Sequence, residues 1–140
     1  MVIFILISFS LSAQCPDYQS ELQNVESYIS TAIKDLKKAE KATTLEEAQQ
    51  FIDNAVSQAE FAEKSANLSK EYAISCSCNS GISSATLIIA AAFDCRAQAH
   101  KAADSGILDD LKKLIEKSLI AARGAKDLIS EGTSYCLSTD

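Results

Sequence analysis

Between Tyr18 and Ile129 the chain repeats small or apolar residues at steps that alternate between three and four. That spacing gathers them on one stripe of an α-helix and does not suit a strand, whose faces alternate every second residue. Four such stripes can be followed. The first, over about 17–41, is Tyr18, Leu22, Val25, Ile29, Ala32, Leu36 and Ala39, with Pro16 placed where the first helical turn needs no N–H. The second, over about 44–76, opens on Thr44-Leu45-Glu46-Glu47, which has the form of a capping box. Its stripe then runs almost entirely in small residues: Ala48, Ala55, Ala59, Ala62, Ala66, Ser69 and Ala73, with Leu45, Ile52 and Cys76 between or beyond them.

The third stripe, over about 81–104, is Gly81, Ala85, Ile88, Ala92, Cys95, Ala99 and Ala102. Leu87 to Phe93 is apolar all round, which predicts the most buried of the four helices. The fourth, over about 108–131, turns Leu111, Leu114, Ile115, Ala122, Ala125 and Ile129 inward, with Asp109 and Asp110 complementing the dipole at its start and Gly132 as its stop. One Pro, four Gly and 21 Ala agree with long helices. The connections are a few residues each, so neighbours are antiparallel. The expected fold is all-α, an up-down-up-down four-helix bundle with an alanine-rich core. The alternative architecture is a longer helical hairpin that completes its core by dimerising.

Met1 to Ala13 carries no charge, and Val2 to Ile7 is continuously apolar. A bilayer span takes about 20 residues, so the segment reads as the apolar core of a secretory signal ending at Leu11-Ser12-Ala13. No Lys or Arg precedes it. A lipid anchor on Cys15 is disfavoured by Gln14 directly before it and by Ser12. The expectation is a signal peptide over 1–13 and a single domain over 14–140. The mature chain would then be secreted or periplasmic, without a membrane span, where disulfides persist.

Topology decides what the cysteines do. In an up-down bundle Cys15, Cys76, Cys78 and Cys136 all come to the end where the first helix begins. Cys95 sits about 20 Å up the third helix, beyond the roughly 7 Å that a disulfide allows between Cα atoms, and reads as a free core residue. Four cysteines allow three connectivities. A bond between Cys76 and Cys78 is strained at that spacing, which leaves Cys15 with Cys76 and Cys78 with Cys136, or the crossed partners. The alternative use is a metal site formed by Cys15, Cys76, Cys78 and Cys136. The single residue between Cys76 and Cys78 departs from the two to four usual in zinc sites.

Other chemistry is thinly represented. His100 is the one histidine, flanked at helical spacing by Arg96 and Asp104 in what reads as a surface row. A di-iron bundle needs two Glu-x-x-His motifs. No haem-attachment motif, phosphate loop or nucleophile elbow is present. Glu46, Glu47, Glu60, Glu63 and Glu71 fall on the wet side of the second helix. A net charge of −6 argues against nucleic acid and anionic lipid as partners. Phe61, Leu68 and Tyr72 form a second stripe on the helix whose core side is alanine. They either fill a groove against a neighbouring helix or meet a partner. The expected function is that of an exported, non-enzymatic bundle without a cofactor, acting by protein–protein contact, by self-association or as a structural component. The second reading is a metal-binding bundle on the four cysteines.

Overall fold

In the computed structural model the described residues are 15–137, and they form four helices: α1 (Pro16–Lys41), α2 (Leu45–Ser75), α3 (Asn79–Ala103) and α4 (Leu108–Gly132). The expected signal segment, 1–13, lies outside them. Each helix packs on the next, and α1 closes the ring against α4 along the least extensive of the four seams. The up-down-up-down bundle read from the sequence is the fold.

Local chemistry sets the boundaries. Pro16 occupies the first turn of α1. The Thr44 hydroxyl accepts the Glu47 N–H at 3.2 Å, the Thr half of the capping box, so α2 proper starts at Leu45. Asp109 and Asp110 lie in the first turn of α4. The third helix starts two residues before the expected Gly81, because Asn79 and Ser80 already have helical geometry. Gly132 is the last residue of α4, one beyond the expected end.

The stripes are the core. Tyr18, Leu22, Val25, Ile29, Ala32, Leu36 and Ala39 are buried, as are the alanines of α2, Ala85, Ala92, Ala99 and Ala102 of α3 and, on α4, Leu111, Ile115, Ala122, Ala125 and Ile129. Leu45, Leu114 and Cys76 are only partly buried. Ser118 and Leu119 of α4 are buried without belonging to the expected stripe. Leu119 stands beside that stripe, in a column that reaches the core only because a neighbouring helix covers it. Among the described residues four serines are buried, and two of them donate to backbone carbonyls: Ser69 to that of Ala66 at 2.7 Å and Ser118 to that of Cys95 at 2.7 Å.

The expectation for α3 is corrected. Leu87 is 55% exposed and Phe93 is 51% exposed, so the run from Leu87 to Phe93 is not buried all round. In a ring of four each helix touches two neighbours, and its far side faces solvent whatever its composition.

Candidate functional site

Two features stand apart from ordinary core packing: the cysteine end and the stripe on α2. At the cysteine end, Cys15 is bonded to Cys76 with Cα atoms 6.0 Å apart, and Cys78 to Cys136 with Cα atoms 5.8 Å apart. Of the two arrangements left open by the sequence, this is the uncrossed one. Each bond closes one helical hairpin: α1–α2 in the first case, α3–α4 in the second.

The turn between the hairpins explains how adjacent cysteines reach different partners. Ser77 has φ 57°, in the left-handed region. Its N–H donates to the Ile74 carbonyl at 3.1 Å, and the Cys78 N–H donates to the Ala73 carbonyl at 2.9 Å. These two bonds are the Schellman arrangement, with Ser where Gly is usual. The reversal turns Cys76 toward α1 and Cys78 toward the tail after α4. Gly81 completes the site. A Cβ there would stand inside contact distance of Cys136 Sγ and 3.2 Å from Cys78 Sγ.

Non-covalent contacts reinforce this end. The Cys15 N–H donates to the Cys136 carbonyl at 3.2 Å, and the Gln19 amide donates to the Tyr135 carbonyl. The buried Tyr18 hydroxyl donates to the Gly132 carbonyl at 2.9 Å. Burial pushes the Tyr18 phenol above its ordinary range, against a smaller lowering effect of the Ser84 hydroxyl.

All four sulfurs of the cluster are held in covalent bonds. The alternative metal site on Cys15, Cys76, Cys78 and Cys136 is therefore not the state of these residues, since a metal binds thiolate. Among the described residues, no group of three or more His, Cys, Asp or Glu is placed to hold a metal. Cys95 is free and buried, its Sγ 3.4 Å from the Ser118 hydroxyl, and burial raises its pKa, the opposite of what activates a thiol.

His100 is exposed, but the row drawn around it loses Arg96. The Arg96 guanidinium reaches across to Glu63 of α2 at 2.7 Å and lies over the Phe93 ring at 5.0 Å. Glu63 is accordingly not on the fully wet side of α2. A pair between helices is invisible to spacing within one helix.

On α2, Phe61 is 47% exposed, Leu68 42% and Tyr72 36%. They border the α1–α2 groove, where the rings of Phe61 and Tyr28 lie 5.5 Å apart, tilted by 33°. The stripe packs on its edge and leaves its outer surface open.

Among the described residues, two shallow clefts adjoin the cysteine end. One, of about 350 Å³, is lined by Cys15, Pro16, Gln19, Ser20, Gln23, Cys136 and Leu137 and has no charged side chain. The other, of about 160 Å³ between α3 and α4, is lined by Ser80, Ser83, Ser84, Leu87, Leu128, Glu131 and Tyr135. There the Tyr135 hydroxyl donates to Glu131 at 2.9 Å, which raises the phenol's pKa. Neither brings a nucleophile to a base. No family model, curated protein or solved structure matches the chain. No described helix is long and apolar enough to cross a membrane.

Proposed function

We propose that this protein is an exported, non-enzymatic bundle that acts through contact with another protein, using the outer surface of the α1–α2 groove. The observation that carries the reading is the Phe61–Leu68–Tyr72 stripe, more than a third exposed at every position on a helix whose core side is alanine. Alanine suffices for the helix to pack, so these three large side chains are more than its burial requires. Apolar surface lined up along a helix is the form in which groove and helix partners are recognised.

The sulfur chemistry supports the proposed compartment. Two disulfides fit an oxidising setting, and the uncharged apolar run before Cys15 supplies a means of export. The acid–base and nucleophilic groups support a contact role by their placement. Cys95 is sealed in the core, and His100 stands exposed on α3.

The double substitution Phe61→Ser/Tyr72→Ser tests the reading. The expected result is a folded bundle, by circular dichroism and thermal unfolding, that has lost binding or self-association. Unfolding of the variant would return the stripe to the core. Turnover of a substrate that depends on a rim carboxylate would overturn the non-enzymatic reading. Mass spectrometry without reduction, on protein recovered from the extracellular or periplasmic fraction, should show a mass four hydrogen atoms below that of the reduced chain and, after denaturation, one thiol that can be alkylated.

A further inference from the structure

The two walls of the α1–α2 groove differ in chemistry. Three contacts fix the antiparallel register: the Cys15–Cys76 bond, the Tyr28–Phe61 ring pair and the Lys38 ammonium 5.7 Å from the Phe51 ring. That register sets Glu21 across from Leu68 and Asp17 across from Tyr72. On α1, Asp17, Glu21 and Tyr28 follow one another at i, i+4 and i+11, so the two carboxylates share the face on which Tyr28 meets α2. From Pro16 to Ile33 the helix carries Asp17, Glu21 and Glu26 and no Lys, Arg or His. On the α2 side, the Glu63 carboxylate is taken by Arg96, and Lys64 sits over Phe61 at 5.9 Å, at the upper end of the stripe. From Phe61 down to the cysteine end the groove therefore has an apolar wall on α2 and an acidic wall on α1, with Lys64 at its upper edge.

We propose that this half of the groove docks a basic amphipathic helix of a partner protein. Its apolar side would lie on Phe61, Leu68 and Tyr72, and its Lys or Arg side chains would meet Asp17 and Glu21. The stripe covers about 16 Å of helix, three turns, which suits anchors at helical spacing. Charge complementarity selects this occupant. A second copy of the chain would bring its own acidic wall against the first, on a molecule of net charge −6. The inference rests on the contact reading above and adds the charge of the partner to it.

The test uses the disulfide-intact protein and two short synthetic amphipathic helices, one of Leu and Lys and one of Leu and Glu, titrated by fluorescence anisotropy. The Lys peptide should bind, and added salt should weaken it. Binding should fall about tenfold or more in Asp17→Asn/Glu21→Lys and in Phe61→Ser/Tyr72→Ser. A charge-matched control, Asp109→Asn/Asp110→Lys at the start of α4, should bind the Lys peptide like the wild type. Equal loss in the control would mean general attraction to an acidic protein and overturn the proposal. Loss of both peptides in the stripe variant, with no effect of the α1 variant, would overturn the charge assignment while leaving the contact reading standing. Insensitivity to the stripe variant would overturn both. Concentration-dependent dimerisation abolished by Phe61→Ser/Tyr72→Ser would give the groove to a second copy instead.

Discussion

The two ends of the bundle are held by different chemistry. At one end the start of α1, the α2–α3 turn and the tail after α4 are fixed by two disulfides, a backbone hydrogen bond and the Tyr18–Gly132 contact. At the other end lie the α1–α2 and α3–α4 turns. Thr44 caps α2 there, and the Gln49 amide donates to the Ala103 carbonyl at 3.2 Å and to the Ser105 carbonyl at 3.5 Å. Both ends carry the same kind of seam between them, rich in alanine. Alanine brings helix axes close but removes little apolar area per residue. The contrast shows where such a fold gains the stability that its side chains do not provide: from loop closure at one end, with ordinary caps sufficing at the other.

The largest test of the contrast removes a covalent bond. Each disulfide closes a loop of about 60 residues, for which the chain-entropy model gives about 4 kcal/mol; the separations are 61 and 58. Cys15→Ser/Cys76→Ser should lower unfolding stability by that order, as a shift in denaturant midpoint. A shift no larger than that of a hydrogen-bond variant would break the comparison. Glycines at the two ends give the next test. Gly81→Ala should cost about 1–3 kcal/mol through overpacking, because Cys136 Sγ is tethered and cannot withdraw. Gly106→Ala, at the other end, meets nothing within 4 Å and should be neutral or stabilising by up to about 1 kcal/mol. Thermal unfolding of the two variants side by side decides it.

A smaller effect is expected of Tyr18→Phe, at about 1–2 kcal/mol, since the Gly132 carbonyl loses its buried donor. The pH dependence carries its own sign. Burial raises the folded-state pKa of Tyr18 above the unfolded value. Above the unfolded pKa, near 10, the unfolded chain releases the proton that the folded chain keeps. Stability present below that pH is therefore lost as pH rises toward the folded value. Tyr18→Phe should flatten this alkaline loss in chemical denaturation. The smallest effect belongs to Gln49→Ala, about 0.5–1.5 kcal/mol. It should appear in hydrogen exchange as faster opening of the α3–α4 turn, with the cysteine end unchanged.

Much of the fold was legible because one stripe per helix is a one-dimensional signal. The alternation from Tyr18 to Ala39 needs no knowledge of neighbours, and every residue in it is buried. Short connections then fixed the direction of each helix, and direction alone brought the four cysteines together. Their pairing was not legible, because it depends on the left-handed turn at Ser77, a residue with no sign of its role in its own type. Leu87 and Phe93 misled for a related reason. An apolar run says that a helix can be buried all round, but only the number of neighbours says whether it is. The Arg96–Glu63 pair and the Tyr18–Gly132 bond join residues 33 and 114 positions apart, beyond any local pattern. The stripe of Phe61, Leu68 and Tyr72 was visible as a spacing, whereas the acidic wall facing it required the register between two helices.

Ser77 stands alone between two covalent rings, residues 15–76 and 78–136. A protease that cuts one peptide bond inside either ring leaves its two pieces tethered through sulfur. A cut on either side of Ser77, which is exposed in the turn, breaks the single covalent path between the hairpins and leaves only packing to hold them. The chain thus carries one position where a single hydrolysis can separate the molecule into halves, while cuts elsewhere within the rings leave it in one covalent piece.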